Sequence, residues 1–563
     1  MIIQNKNFVL SKYFPAKYIP VKYIPAKYIP AVISGLALTL CFPKANLSYL
    51  VFFALVPWLV SMGSMTSRES FYSGFFTGFF YFITLIYWIV PTLHEYGGLH
   101  PVLAVSTLIL LCLYLSMYPA IFAFLLNRMD VNCWIAPIAA ACVWTGLEYI
   151  RTYAFTGFSW GALGYSQYTN LLLIQIADFS GVYGVSFLIV LINYLLADLW
   201  LSHKKGLYKK HILPIVYTVI VFSGAIFYGN QKIDILNAQI EKAQKPTLRL
   251  VQGNIKQDLK WSEEFKVQTL EKYIHLSQKE LKKDGILIKP DLVIWPETAL
   301  PFYYGFDKNL SNQVDQCVRA LKTNFLIGSP AFERDGKHTK FYNRAYMLNQ
   351  YSIIIGTYDK NHLVPFGEYV PFGDYLAFLG KLTAQAGDFS TGDKTFKPLK
   401  FNEQNLKVTH NLKVTHNQKV THNQKVTRKT GVLICFEILF PSIASRFVKN
   451  GADILVTITN DAWFGHTSAP MQHFSIAVFR AVENRRTIAR AANTGISGFI
   501  DPKGEILETT ALFADQIVTR QVAALNQISF YTKYGDIFAI CSIVAICMLF
   551  MVKGARKKFW KTV

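Results

Sequence analysis

The chain has few charged residues for its size. Only 16% of its 563 residues are Asp, Glu, Lys or Arg, against roughly 25% in soluble domains. The deficit is local: 31–230 is nearly free of charge, whereas 245–525 has the composition of an ordinary soluble block. A single soluble globule is therefore excluded, and the length also exceeds one ordinary domain. CxxC pairs are absent, and the Cys and His spacings match no structural metal site. Of eight cysteines, Cys41, Cys112, Cys133, Cys142, Cys541 and Cys547 lie in or beside apolar runs. Cys317 and Cys435 remain in the soluble block, and one disulfide between them is compatible with the sequence. No cleavable leader with an A-x-A-like site is evident, so the first apolar run is expected to stay as an anchor.

Basic residues outnumber acidic ones, 57 to 35, for a net charge of +22. Much of that excess sits in short loops and repeat tracts. No basic face with interleaved aromatics forms, so nucleic acid is not expected as a partner.

What the chain does have is long apolar runs, each near the roughly 20 residues a helix needs to cross a bilayer. They fall at 31–43 with 47–63, 71–92, 101–126, 132–148, 177–199, 211–229 and 535–552. The expected architecture is a polytopic α-helical membrane bundle of about eight spans, the first short, joined to an α/β domain. Lys and Arg cluster in the N-terminal segment, beside Arg68 and Arg128, in SHKKGLYKKH (202–211) and in the tail KGARKKFWK. By the positive-inside rule these places are cytoplasmic, and 230–530 lies on the other side. The expected divisions are a 1–30 N-terminal tail, a 31–230 seven-span membrane domain, a 245–525 catalytic domain, and a last span with basic tail at 533–563.

Two low-complexity tracts interrupt this plan. A KYIPA-like pentamer recurs over 12–31, and an N-x-K-V-T-H hexamer over 405–428. Four copies at such short periods are too few for a solenoid that buries a core. His410, His416 and His422 owe their spacing to the duplication, and no metal or cofactor is expected.

The soluble block alternates strand and helix signals. Strands are expected at LRLVQG (248–253), DLVIWPE (291–297), NFLIGS (324–329), TGVLICFE (430–437) and ADILVTITND (452–461), with a hairpin across 343–360. Helices are expected at 262–283, 441–450 and about 470–491, and a last strand pair at 497–507. That alternation predicts a layered α/β domain, whose reactive groups gather where strands end.

Three such ends carry chemically able residues: Glu297 after DLVIWP, Lys360 after SIIIGTYD and Cys435 after GVLI. A thiol near its ordinary pKa is a weak nucleophile and needs a neighbouring base or cation. Glu297 could take its proton, while Lys360 and the backbone N–H of Phe436 could hold a developing oxyanion. The combined chemistry is acyl transfer through a thioester, with Glu437 as a carboxylate shaping the site.

WPET (295–298), YDKNHLVPFGEYVPF (358–372), CFE (435–437) and TNDAWFG (459–465) resemble the nitrilase (carbon-nitrogen hydrolase) superfamily, and in particular its membrane branch, the bacterial apolipoprotein N-acyltransferases. RTYAFTGFSWGALGYSQ (151–167) resembles a segment between that family's membrane helices. The resemblance spans about 31–552 apart from the repeats. It implies an extracytoplasmic αββα sandwich facing the periplasm from the bacterial inner membrane. It also implies Glu297 as general base, Lys360 as oxyanion stabiliser and Cys435 as nucleophile, with Glu368 and Glu437 in support. Trp261 and Trp463 match positions where that family lines its lipid-facing site; Trp160, in an aromatic-rich outer loop that suits the interfacial zone, is a further substrate-binding candidate. The implied partners are a phospholipid acyl donor, a diacylated apolipoprotein acceptor and membrane lipids, for a monomeric enzyme without cofactor. Two departures stand out: Phe436 replaces the usual Tyr, and Ser159 stands where Pro is typical.

Two other readings remain at this stage. One is a membrane-tethered amidase that passes the same thioester to water. The other is a transporter or scaffold with an inert external domain, for which Glu148 and Asp178 are the main charged residues within the apolar runs.

Overall fold

The computed structural model describes residues 24–129, 131, 134–203, 208–257, 260, 262–280, 282–283, 286–336, 338–369, 389–403 and 426–562. Trp261, the histidines of the hexamer tract and the pentamer copies before residue 24 lie outside the described residues. The chain divides into two compact units. One comprises the chain up to Ile233, Phe464–Phe479 and Tyr534 onward; the other comprises Asp234–Trp463 and Arg480–Lys533.

The first unit is helical. Its main elements are α1 (Ile29–Leu40), α2 (Val56–Met62), α3 (Ser67–Leu85), α4 (Pro101–Arg128), α5 (Ala136–Tyr153), α6 (Val182–His203), α7 (Ile212–Lys242) and the C-terminal helix Ile537–Thr562. Among the described residues, α4, α6 and α7 are each long and apolar enough to cross a bilayer, and α3 with Ile89–Tyr96 forms a further candidate span bent by 56°. The expected runs at 31–43, 47–63 and 535–552 appear as shorter apolar helices.

Sequence explains how α3 is built. Thr66 caps it, accepting the Glu69 N–H while the Glu69 carboxylate accepts the Thr66 N–H at 2.9 Å, a capping box that satisfies two otherwise orphaned donors. Ser70, Ser73, Gly74, Thr77 and Gly78 make one small-residue stripe, all buried. A Cβ at Gly74 would collide with the Pro119 carbonyl of α4. Such stripes let helix backbones approach closely where no hydrophobic effect drives association.

One polar knot sits inside this unit. The Gln472 carbonyl oxygen accepts both the Trp160 indole N–H (2.8 Å) and the Trp88 indole N–H (3.2 Å). Its amide donates to the carbonyls of Leu85 and Pro43 and to Ser468 Oγ, at 3.1–3.3 Å. The Trp160 ring stacks on His473 with centroids 5.6 Å apart.

The second unit holds two six-stranded mixed sheets. Its strands are β1 (Thr247–Gln252), β2 (Lys282–Lys283), β3 (Ile286–Leu287), β4 (Leu292–Ile294), β5 (Asn324–Asp335), β6 (His338–Leu348), β7 (Ile354–Asp359), β8 (Leu399–Asn402), β9 (Thr427–Ile434), β10 (Ile454–Thr459), β11 (Ile488–Ala492), β12 (Gly498–Ile500), β13 (Ile506–Thr509) and β14 (Gln516–Gln521). Sheet order is β14-β1-β4-β5-β6-β7 in one and β13-β12-β11-β10-β9-β8 in the other. Each has a central parallel trio: β1, β4, β5 and β9, β10, β11. Parallel neighbours require crossovers. These are supplied by α8 (Glu263–Gln278), α9 (Lys308–Leu321), α10 (Pro441–Lys449) and α11 (Ala469–Asn484). Leu270, Tyr273 and Leu276 of α8, with Val314 and Val318 of α9, share one buried core with Val251, Val293, Trp295 and Phe325 of the first sheet.

The structure corrects one expectation, adds elements the sequence reading did not have, and closes one question it left open. The helix expected through 491 ends at Asn484, where Arg485 turns with φ +52°, and β11 follows. β11 carries a fully buried Arg490 amid apolar residues, so its pattern reads as a continuing amphipathic helix. Helix α9, whose polar face dominates its composition, and the short strands β8 and β14 had no counterpart in the sequence reading. Neither Cys317 nor Cys435 is in a disulfide; Cys317 packs in the core between α9 and the sheet.

Candidate active site

The parallel trios place the carboxyl ends of β4 and β9 where loops must carry the chain away. Glu297 follows β4 by three residues, through Trp295 and Pro296. Its carboxylate is surrounded by donors. Oε1 accepts the Asn343 side-chain amide at 2.7 Å and the Lys360 ammonium at 3.3 Å, and Oε2 accepts the Asn460 backbone N–H at 2.9 Å.

Lys360 is the first residue after β7. It is buried, and its ammonium lies 2.9 Å from both oxygens of Glu368. Just before it, Arg344 of β6 grips Asp359 with two parallel hydrogen bonds of 2.6 and 2.8 Å, which fixes the strand end from which Lys360 projects. Alternation along β6 then sends Asn343 to the opposite face from Arg344, towards Glu297 and Glu368. Glu368 is itself held by the Val364 N–H at 2.9 Å. Burial alone would lower the Lys360 pKa, but Glu368 and Glu297 outweigh it and raise it well above the ordinary lysine value. The two carboxylates favour its charged form.

Cys435 directly follows β9 with φ +53°, a left-handed turn that costs an L-residue about 1–2 kcal/mol. It persists because Glu437 holds the turn from below. Glu437 Oε2 accepts the Ile434 N–H at 2.7 Å; Oε1 accepts the Tyr358 hydroxyl at 2.8 Å and the backbone N–H groups of Asn361 and His362 at 2.7 and 3.1 Å. One buried carboxylate thus ties the Cys435 turn to the chain on either side of Lys360. Burial pushes its pKa up to about 7, although each of these donors pulls downward.

Burial and the Glu297 charge also push the Cys435 thiol well above its usual range, with Lys360 opposing. The balance favours the protonated form of the thiol. Parallel pairing sets Ile434 beside Ile458, so Thr459 comes alongside Cys435 and hydrogen-bonds to it. Thr459 in turn donates to Asp461 at 2.9 Å, and Asp461 is ion-paired to Arg490 at 2.8 Å.

Of the residues singled out from sequence, Glu297, Lys360, Glu368 and Glu437 join one connected network around the Cys435 turn. Phe436 packs its ring on Phe440 at 5.4 Å and on His362 at 5.8 Å. Trp463 is half-buried in the turn Asp461–Phe464. Trp160 is buried in the helical unit with its indole N–H committed to Gln472. Sequence reading passed over Asn343 and Lys260. Asn343 read as an ordinary strand residue in NRAYMLN, and Lys260 was overshadowed by the adjacent Trp261. A polar residue alternating out of phase with a buried apolar strand was the available signal for Asn343.

A two-sheet α/β domain with this network at its strand ends is of the carbon-nitrogen hydrolase class. Residues 247–527 match the carbon-nitrogen hydrolase family model, and residues 34–195 match that of the apolipoprotein N-acyltransferase N-terminal domain. An apolipoprotein N-acyltransferase from Geobacter metallireducens is 37% identical over 530 residues, covering 94% of this chain and 95% of that one. One from Pasteurella multocida is 28% identical, covering 93% and 95%. A solved carbon-nitrogen hydrolase from Helicobacter pylori G27 aligns at 16% identity with a TM-score of 0.36, covering 52% of this chain and 94% of that one. The chain belongs to the apolipoprotein N-acyltransferase family.

Proposed function

We propose that the protein moves an acyl chain from a phospholipid, through a thioester on Cys435, to the α-amino group of the N-terminal diacylglyceryl-cysteine of lipoproteins. The observation that carries this reading is the buried Lys360 ammonium lodged between Glu297 and Glu368, beside a thiol held on a left-handed turn.

In the first half-reaction Glu297 takes the thiol proton, and the sulfur attacks the ester carbonyl of the phospholipid. Lys360 and the Phe436 N–H hold the oxyanion. Collapse expels the lysophospholipid alkoxide, which takes the proton back from Glu297. In the second half-reaction the lipoprotein amine attacks the thioester, Glu297 accepts the amine proton, and the thiolate leaves and is reprotonated. A cation locked by two carboxylates suits this task, because it costs no reorganisation when the oxyanion appears.

The distribution of Lys and Arg supports an eight-span bundle in the bacterial inner membrane, with the catalytic unit facing the periplasm. Working at the bilayer surface keeps acyl chains out of water, where each CH₂ would cost about 0.8 kcal/mol.

Intact-mass measurement of the purified protein after incubation with phospholipid is the direct test. The wild type is expected to gain one acyl chain, and Cys435→Ser none. Labelled phospholipid with and without a diacylated lipopeptide then separates the acceptors: label reaching only free fatty acid would make the protein a hydrolase.

A further inference from the structure

A second lysine lies inside this site. Lys260 is 1% exposed, and its ammonium donates to Thr298 Oγ1 at 2.7 Å and points to the Glu297 carbonyl at 3.4 Å. Lysine is almost never fully buried unless paired, and among the described residues this one forms no ion pair. It grips the turn that presents the general base, on the main-chain side, leaving the lone pairs of the Glu297 carboxylate to Asn343, Lys360 and Asn460. That turn is strained: Thr298 has φ +45°, a left-handed conformation unfavourable to a β-branched residue.

Charge balance gives Lys260 its second task. Glu297 and Glu368 are two carboxylates facing a single ammonium, Lys360. Asp461 and Arg490 cancel one another. With Lys360 alone the buried cluster would be net negative, and forming a thiolate or an oxyanion there would add charge of the same sign. A further cation that does not occupy the carboxylate oxygens offsets the charge of the second carboxylate facing Lys360 before the reaction begins. Glu437, whose oxygens are taken by Tyr358 and backbone N–H groups, adds to the negative charge it works against.

We propose that Lys260 is a positioning residue of the acyl-transfer site, pinning the Glu297–Thr298 turn and supplying the second positive charge that thiolate and oxyanion formation require. The proposal rests on the acyl-enzyme reading above. Burial lowers the Lys260 pKa to about 8, while the Glu297 carboxylate and Cys435, the titratable groups coupled to it, pull it upward. The cation is therefore present below about pH 8 and lost above it.

The test is the initial rate of Cys435 acylation by phospholipid, read by intact mass on the full-length protein from about pH 6.5 to 9.5. Wild type is expected to slow as pH rises past about 8. Lys260→Arg keeps its charge and should hold the rate at least one pH unit further. Lys260→Met should be about 10- to 100-fold slower and lack that alkaline fall; removal of a direct oxyanion donor typically costs about 10²–10³. Thr298→Val loses the anchor but keeps the charge, so it should slow acylation less than Lys260→Met and retain the alkaline fall. That variant decides the matter if arginine cannot be accommodated. Lys260→Met within about twofold of wild type, or an alkaline fall unchanged by removal of the lysine, would overturn the proposal while leaving the acyl-enzyme intact. A wild type that never acquires an acyl chain would overturn both.

Discussion

Asn343 donates to Glu297 Oε1 at 2.7 Å, and the same amide reaches Glu368 Oε1 at 3.1 Å. Two carboxylates facing one amide fix its orientation, because only the NH₂ end can meet both. Among the described residues its own buried carbonyl oxygen meets no hydrogen-bond donor. Replacing it by Asp would set a third carboxylate against two others. Asn343→Asp is expected to slow acyl-enzyme formation by about 100-fold, with Asn343→Ser retaining more activity than Asn343→Asp. Equal rates for the two variants would dissociate Asn343 from the charge balance of the site.

Glu297 and Cys435 are coupled with a definite sign. The Glu297 charge raises the thiol pKa, so Glu297→Gln should make Cys435 easier to alkylate with iodoacetamide at a given pH. The same change removes the proposed base and should slow acylation by about 10²–10⁴-fold. Alkylation and acylation therefore move in opposite directions. A variant in which both fell together would indicate a collapsed site.

Glu437 makes stability depend on pH. Its folded pKa of about 7 lies above the usual 4.5, so the native state holds a proton that the unfolded chain has already lost. The stabilisation is complete below about pH 4.5 and disappears as pH rises to about 7, at roughly 1.4 kcal/mol per pH unit. Glu437→Gln should flatten this dependence in thermal unfolding of the detergent-solubilised protein. It should also lower stability at pH 5, since an amide nitrogen would face backbone donors at one oxygen position.

Gln472 satisfies two indoles and two backbone carbonyls within the helical unit. Gln472→Leu leaves all four without that partner, and a loss of about 3–5 kcal/mol is expected. A melting temperature within a degree or two of wild type would show that these groups find other partners.

Much of the fold was legible because apolar runs report burial directly. GVLI and ADILVTIT read as buried strands, and they are β9 and β10. The run 101–126 reads as a span, and it is helix α4. Where a buried polar residue interrupts the pattern the reading failed: Arg490 in β11 made a strand look like the continuation of α11. Glu297, Lys360 and Cys435 were visible as candidates because chemically capable side chains directly follow apolar runs.

Sequence by itself determined that chemically capable side chains would stand at strand ends, because alternation and apolar length are local properties. Only the tertiary structure decided what surrounds them. Asn343 meets Glu297 across 46 residues, Lys260 reaches Thr298 across 38, and Glu437 meets Tyr358 across 79. Such meetings arise from sheet register and crossover packing, which no local pattern encodes, and the charge balance of the site is their product.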